Sequence, residues 1–170
     1  MSLTNNEILN VAAALDSLEP GFLPEQIFYS LSRLSVLTAA EVVPLRRTLD
    51  GGYEVLLTRR PDSDPFFGGL VHCPGQIYRP GDSLSDRPKK VVQEELSHTT
   101  VESEPRLVPD TFIHDYGRGP VIERIYYIFV SSSEDGDFYP VDDLPNDLLA
   151  SHDKLIRIVI NYLNDMGASK

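Results

Sequence analysis

Cysteine is almost absent from this 170-residue chain, where Cys73 stands alone. One thiol can close no internal disulfide, so neither a disulfide framework nor a cysteine-built metal cluster is expected. Basic residues are scarce as well: 15 Lys and Arg stand against 26 Asp and Glu, a formal charge of -11. That balance disfavours sequence-independent attraction to nucleic-acid backbones or anionic lipid. No apolar run approaches the roughly 20 residues of a membrane helix, and the first residues lack the basic flank and apolar block of a secretory signal. The expected compartment is the cytoplasm, with no membrane and no nucleic-acid partner. What is present, 41% hydrophobic and 24% charged residues, suffices for one compact domain with its own core.

Thr4-Asn5-Asn6-Glu7 has capping-box spacing, and Ile8, Leu9, Ala12 and Leu15 recur at helical intervals, predicting an opening helix to about Leu18. Pro20-Gly21 should stop it. A second short helix after Pro24 carries Ile27, Phe28, Leu31 and Leu34 on one face. From Ala39 the pattern turns strand-like, with Val42-Val43 and Val55-Leu56-Leu57 separated by the hairpin signal Asp50-Gly51. Pro44 predicts an edge or a bulge for the first run. Residues 61–69, rich in Pro, Asp and Gly, read as a loop, Val71 to Tyr78 as one strand, and Pro80-Gly81 as a turn. A helix from Pro88 to Leu96 and a hairpin of Thr111–Ile113 with Val121–Val130 through Gly117-Arg118-Gly119 follow. Leu155, Ile156, Val159, Ile160 and Leu163 mark a terminal amphipathic helix. Strands inside and helices outside predict an α/β or α+β sandwich. Residues 1–38 are expected to form a helical extension packed on a domain of residues 39–170. The apolar faces of its helices leave three roles open: a cap over a pocket, a cover for the sheet, or a homodimer interface.

The chemistry concentrates in one helix. Positions 91, 94 and 95 are three and four residues apart and project from one face. Glu94 and Glu95 lie there beside a glycine-bearing turn, and paired carboxylates with substrate phosphates and water suit a hard divalent cation. A solvated acidic surface is the plainer reading of such a pair taken alone.

The wider stretch resembles the Nudix box, G-x(5)-E-x(7)-R-E-U-x-E-E-x-G-U with U apolar, aligned without a gap from Gln76 to His98. Gln76 takes the first glycine position and Asp82 the first glutamate. Lys90 takes the arginine, Val91 the next glutamate, and Val92 the apolar position. Glu94 and Glu95 match the acidic pair, while Ser97 and His98 occupy the last glycine and apolar positions. Leu56 to Arg60 and Phe67 to Gly75 likewise resemble the family's strand with its arginine-ending edge and its run into Pro-Gly-Gly, with Val71 where many members have tryptophan. The resemblance runs from about Ala39 to the terminal helix.

The resemblance implies an α/β/α sandwich with a mixed central sheet. It also implies Mg2+- or Mn2+-dependent attack of water on a nucleoside-diphosphate-linked compound or related organic pyrophosphate. Glu94 and Glu95 fall on metal and catalytic positions, Arg60 on a position that contacts substrate phosphate, and Tyr78 is a candidate for stacking on a base, with Phe66, Phe67 and Tyr116. Val91 falls where the family has a glutamate that binds metal or acts as base, and valine does neither. Asp82 and Glu123 are the leading substitute bases, with His98, Glu102, His114 and Asp115 behind them. A catalytically silent module that binds a nucleotide or a protein through the old pocket is the alternative, and a different sandwich resembling the box by chance is the third reading.

Overall fold

The computed structural model describes residues 3–19, 21, 23–115, 117 and 119–168. Helix α1 (Asn5–Asp16) begins at Thr4 with both halves of the capping box in place, the Glu7 N–H donating to Thr4 Oγ1 and the Thr4 N–H to Glu7 Oε2. None of its residues is buried, so Ile8, Leu9, Val11 and Leu15 face outward. Helix α2 (Glu25–Leu34) is anchored better: Ser32 is buried, and the Tyr29 ring lies 4.9 Å from that of Phe66.

Among the described residues, eight strands form one mixed sheet. Strand β1 (Leu37–Arg47) turns at Asp50-Gly51, with Gly51 at φ +90°, into antiparallel β2 (Tyr53–Arg59). The expected single strand from Val71 to Tyr78 is instead two pieces, β3 (Val71–His72) on β2 and β4 (Gly75–Ile77) on β1. The chain changes partner at Cys73-Pro74, because a proline cannot donate to a continuing ladder. Helix α3 (Asp86–Glu95) carries the box and leads into β5 (Thr99–Val101). Strand β6 (Arg106–Asp115) pairs antiparallel with β7 (Pro120–Ser133), and β7 runs parallel to β1. Strand β8 (Gly136–Pro140), which has no clear signal in the sequence, pairs with β2, and helix α4 (His152–Ala168) ends the fold. The Gly117–Gly119 turn joins β6 to β7 as expected, although Tyr116 and Arg118 lie outside the described residues.

Pro44 does not mark an edge: β1 is central, lying between β2 and β7. The Val42 N–H donates to Pro74 O on the β2/β4 side, so the nitrogen of Pro44, two residues on, points the same way. There β1 has left β4 at Glu41 and not yet met β2 at Leu45, so the missing N–H costs no ladder bond. Two apolar layers cover the sheet. Ala40, Val42, Leu56, Tyr126, Ile128 and Val130 meet α3 through Val91 and Leu96. On the opposite face Val43, Leu45, Leu57, Ile125 and Tyr127 meet α4 through Leu155, Ile156 and Val159. This is the sandwich with helices on both faces that the alternation of patterns predicts, with the mixed central sheet that the resemblance implies.

Candidate active site

Gly75 is the centre of the site. It pairs with Glu41 across β1 and β4, and a Cβ at this position would overlap the Glu41 carboxylate. Its N–H donates to the carboxylate of Glu95, at the end of α3. Burial pushes the Glu95 carboxyl up, against the opposing influence of Gln76, the Gly75 N–H and Arg60. Glu94 is exposed and accepts a hydrogen bond of 2.8 Å from the Gln76 amide. Gln76, at the family's first glycine position, therefore touches both acids, and its Oε1 accepts from Arg87 at 2.8 Å.

A cleft of about 400 Å³ opens beside Glu95, lined also by Thr58, Arg60, His72 and Asp135. The 61–69 loop holds Arg60 there. Asp64 accepts the N–H groups of Phe66 and Phe67 at 3.0 Å and pairs with Arg60 Nη1 at 2.8 Å, while the guanidinium lies over the Phe67 ring. The Arg60 Nε is buried with no hydrogen-bond partner among the described residues. His72 bonds Thr58 Oγ1 through Nε2 at 3.2 Å, and burial, reinforced by the Arg60 charge, lowers its pKa to about 4. His152 Nδ1 accepts the Cys73 N–H at 2.9 Å and is likewise driven well down by burial, so both imidazoles are neutral near pH 7. Burial and the Glu41 charge raise the Cys73 thiol, making it an inert packed side chain.

Val91 is fully buried among Ala40, Val42, Leu56 and Tyr126. The position that the family pattern fills with a carboxylate belongs here to an apolar layer.

The substitute candidates scatter. Asp82 is locked: Arg87 pairs with it from a buried position and Lys90 lies 3.3 Å away. Burial alone raises this carboxyl, but the Arg87 side chain, the Arg79 N–H and Lys90 outweigh it and bring it down to about 2. Glu123 is fully buried in a space of about 10 Å³ bounded by Glu41, Arg60, Phe67 and His152, on the α4 face of the sheet. That is at the lower limit for a single water. His98 does not line the cleft but pairs at 3.0 Å with Asp135, which does, Glu102 stands at the far end of β1, and Asp115 accepts the Gly117 and Gly119 N–H groups in the turn. His114 pairs opposite Val121 near the same turn. Tyr78 does not line the cleft. Its hydroxyl donates to Leu84 O at 3.3 Å and lies 3.1 Å from that of Tyr126, and its ring packs on the α3 layer. Phe66 packs on Tyr29, Phe67 supports Arg60, and Tyr116 lies outside the described residues.

Glu41, His152 and Thr58 are neighbours of the site that motif reading passes over. The signal was present for one of them: Ala39, Glu41, Val43 and Leu45 alternate along β1, and a glutamate inside an inward-facing apolar series marks a buried carboxylate.

No helix among the described residues is long and apolar enough to cross a membrane. No protein-family model matches the chain, and no curated protein matches it in sequence. Solved structures do match. A mutT/nudix family protein from Listeria innocua superposes with a TM-score of 0.62 at 16% identity, over 79% of this chain and 98% of that one. A C. elegans Ap4A hydrolase gives 0.56 at 18% identity, over 76% and 99%. The C-terminal domain of mouse MUTYH, solved in complex with human PCNA, gives 0.54 at 17%, over 75% and 90%. From Gly75 outward, the sheet, the box helix and the terminal helix together have the architecture of these proteins, and the chain has the Nudix fold.

Proposed function

We propose that this protein is a Nudix hydrolase that cleaves an organic pyrophosphate, such as a nucleoside-diphosphate-linked compound, with a two-carboxylate site in place of the family's three. The observation that carries the reading is the convergence of the Glu95 carboxylate, the Gly75 backbone and the Arg60 guanidinium on one open cleft. No group of three or more His, Cys, Asp or Glu side chains able to hold a metal occurs among the described residues. Glu94 and Glu95 are two adjacent carboxylates, a donor set suited to a cation that arrives with its substrate. Mg2+ is commonly held by one or two carboxylates plus phosphate oxygens and retained water. Glu94 and Glu95 would hold Mg2+ or Mn2+, whose chemistry there would be charge neutralisation at the phosphates and a lowered pKa of water.

The chain's own residues divide the remaining work. Arg60, anchored by Asp64, binds a non-bridging phosphate oxygen. Glu95 orients water on the cleft side of Gly75 and accepts its proton. Thr58 and His72 wall the cleft with neutral polar groups. Weak proton abstraction would leave a rate roughly a hundred to ten thousand times below that of a site with a positioned base.

The test is turnover of a panel of diphosphate compounds with Mg2+ or Mn2+, read as release of phosphate-bearing products. Glu95→Gln and Glu94→Gln should each abolish it, and Arg60→Gln should raise KM. Turnover indifferent to both glutamate variants would refute the assignment.

A second reading is favoured by the burial of Val91 and by the Gln76 amide bonded to Glu94: a silent module that binds a phosphate-bearing ligand in the same cleft. It predicts no turnover by the wild type, together with binding of a non-hydrolysable diphosphate analogue that Arg60→Gln removes.

A further inference from the structure

The far end of β1 carries a second constellation. Arg46 and Arg47 close the strand, Arg106 opens β6, and with Phe129, Ser103 and Glu102 they line a surface depression of about 540 Å³. That volume is in the range small ligands occupy, roughly 300 to 1,000 Å³. Three arginines and one glutamate line it, on a chain whose formal charge is -11.

The strand registers explain the grouping. Arg106 pairs with Tyr127 and Leu45 with Phe129, so Arg47, Arg106 and Phe129 share the α4 face of the sheet. Arg46 points to the other face, where its guanidinium lies 3.7 Å above the Phe138 ring, bonds Glu54 at 2.7 Å and reaches Ser131 O at 3.5 Å. Its charge is already balanced. Arg47 differs: its guanidinium lies 5.3 Å from the Tyr53 ring centre and 5.1 Å from that of Phe129. Among the described residues no carboxylate comes within ion-pair distance of Arg47 or Arg106, Glu102 included. Stacking on two rings orients the Arg47 fork while leaving its N–H edge for an acceptor. The wall beneath is rigid: the Phe129 N–H donates to Ser103 Oγ and the Glu102 N–H to Phe129 O, both at 2.8 Å.

We propose that Arg47 and Arg106, above Phe129, form a second binding site for the phosphate group of a small phosphorylated molecule, separate from the cleft at Gly75. Arg47 is six residue steps along β1 from Glu41, about 20 Å at the usual strand rise, so one phosphate cannot touch both. Planar guanidinium forks match the tetrahedral oxyanion, and the paired arginines supply the charge that the rest of the surface withholds. Glu102, at the edge, opposes the anion.

Inorganic phosphate is the probe, titrated in the presence of EDTA and followed by amide chemical shifts of the full chain. Saturable shifts should centre on residues 46–47, 103–106 and 129–131. Arg47→Gln with Arg106→Gln should weaken binding at least tenfold, and Arg60→Gln should leave it unchanged. Glu102→Gln should tighten binding two- to fivefold, a gain that misfolding cannot produce. Shifts confined to Thr58, Arg60 and His72, no saturation at millimolar phosphate, retained affinity in the double arginine variant, or weaker binding in Glu102→Gln would each overturn the site. None of these outcomes depends on whether the protein is a hydrolase.

Discussion

Strand β1 faces two different interiors. Toward α3 it presents Ala40 and Val42 to Val91 and Leu96, an apolar layer throughout. Toward α4, near the same end of the strand, it presents Ala39 and Glu41 to Glu123, Arg60 and His152. The box pattern leads one to look for a third carboxylate on the α3 side, but the acids that the fold buries lie on the other side, in an enclosure too tight for substrate. Gly75 separates the two, touching Glu95 through its N–H and the Glu41 carboxylate through its missing side chain. Position on a strand face, more than residue type, decides whether a glutamate can meet a phosphate here.

Val91→Glu is the most direct attempt to break that contrast. A carboxylate placed in the α3 layer has no partner within the cluster, so the variant should lose about 4 kcal/mol of stability in urea unfolding. A variant as stable as wild type and faster on a diphosphate substrate would mean that position 91 opens into the cleft after all. Arg87→Met tests the lock at the start of α3. Removing one partner of a buried ion pair should cost about 3 kcal/mol. Because the folded Asp82 carboxyl lies near 2, below the ordinary 3.8 of an aspartate, this ion pair contributes stability above about pH 4 that is lost as pH falls toward 2. Unfolding midpoints measured from pH 5 to pH 2 should fall less steeply in the variant.

The wall of the cleft gives a second acid-sensitive group, at a higher pH. His72 is neutral when folded, with a pKa of about 4 against 6.5 for the ordinary imidazole. The unfolded chain takes up this proton first, so stability falls as pH drops from 6.5 to 4, by about 3 kcal/mol at the limit. His72→Gln should remove that share of the acid sensitivity, and an unchanged pH slope would show that the imidazole is not buried neutral. The smallest effect is expected at Gly75, where Gly75→Ala should cost about 1 to 2 kcal/mol through overlap with Glu41. In a Glu41→Ala background most of that cost should vanish, and strict additivity of the two changes would disprove the contact.

Much of this fold could be read from the chain. The capping box at Thr4, the Asp50-Gly51 hairpin, the box helix and the terminal helix all rest on short-range patterns, and each forms within a few residues of its expected limits. The site was legible only in part. Glu94, Glu95 and Arg60 stand in motif positions; Glu95 and Arg60 line the cleft with Gly75, and Glu94 accepts from Gln76 outside its lining. Tyr78 has the right residue type, but its ring turns to the α3 layer because of the face that β4 presents to β1. Strand β8 passed unseen because its five residues pair only with β2, some eighty positions earlier.

Spacing and charge along the chain were enough to set the helix periods, the acidic surface, the register of the box and the absence of a carboxylate at Val91. Each depends on residue identity or on contacts within a turn or two of backbone, which need no partner from afar. Three features came only from the tertiary structure: Asp82 is bound to Arg87, Glu41 and Glu123 lie away from the open cleft, and Arg47, Arg106 and Phe129 line one depression. Each depends on strand register and on which face of the sheet a side chain takes. A shift of one residue in pairing would exchange those faces without altering a single local pattern.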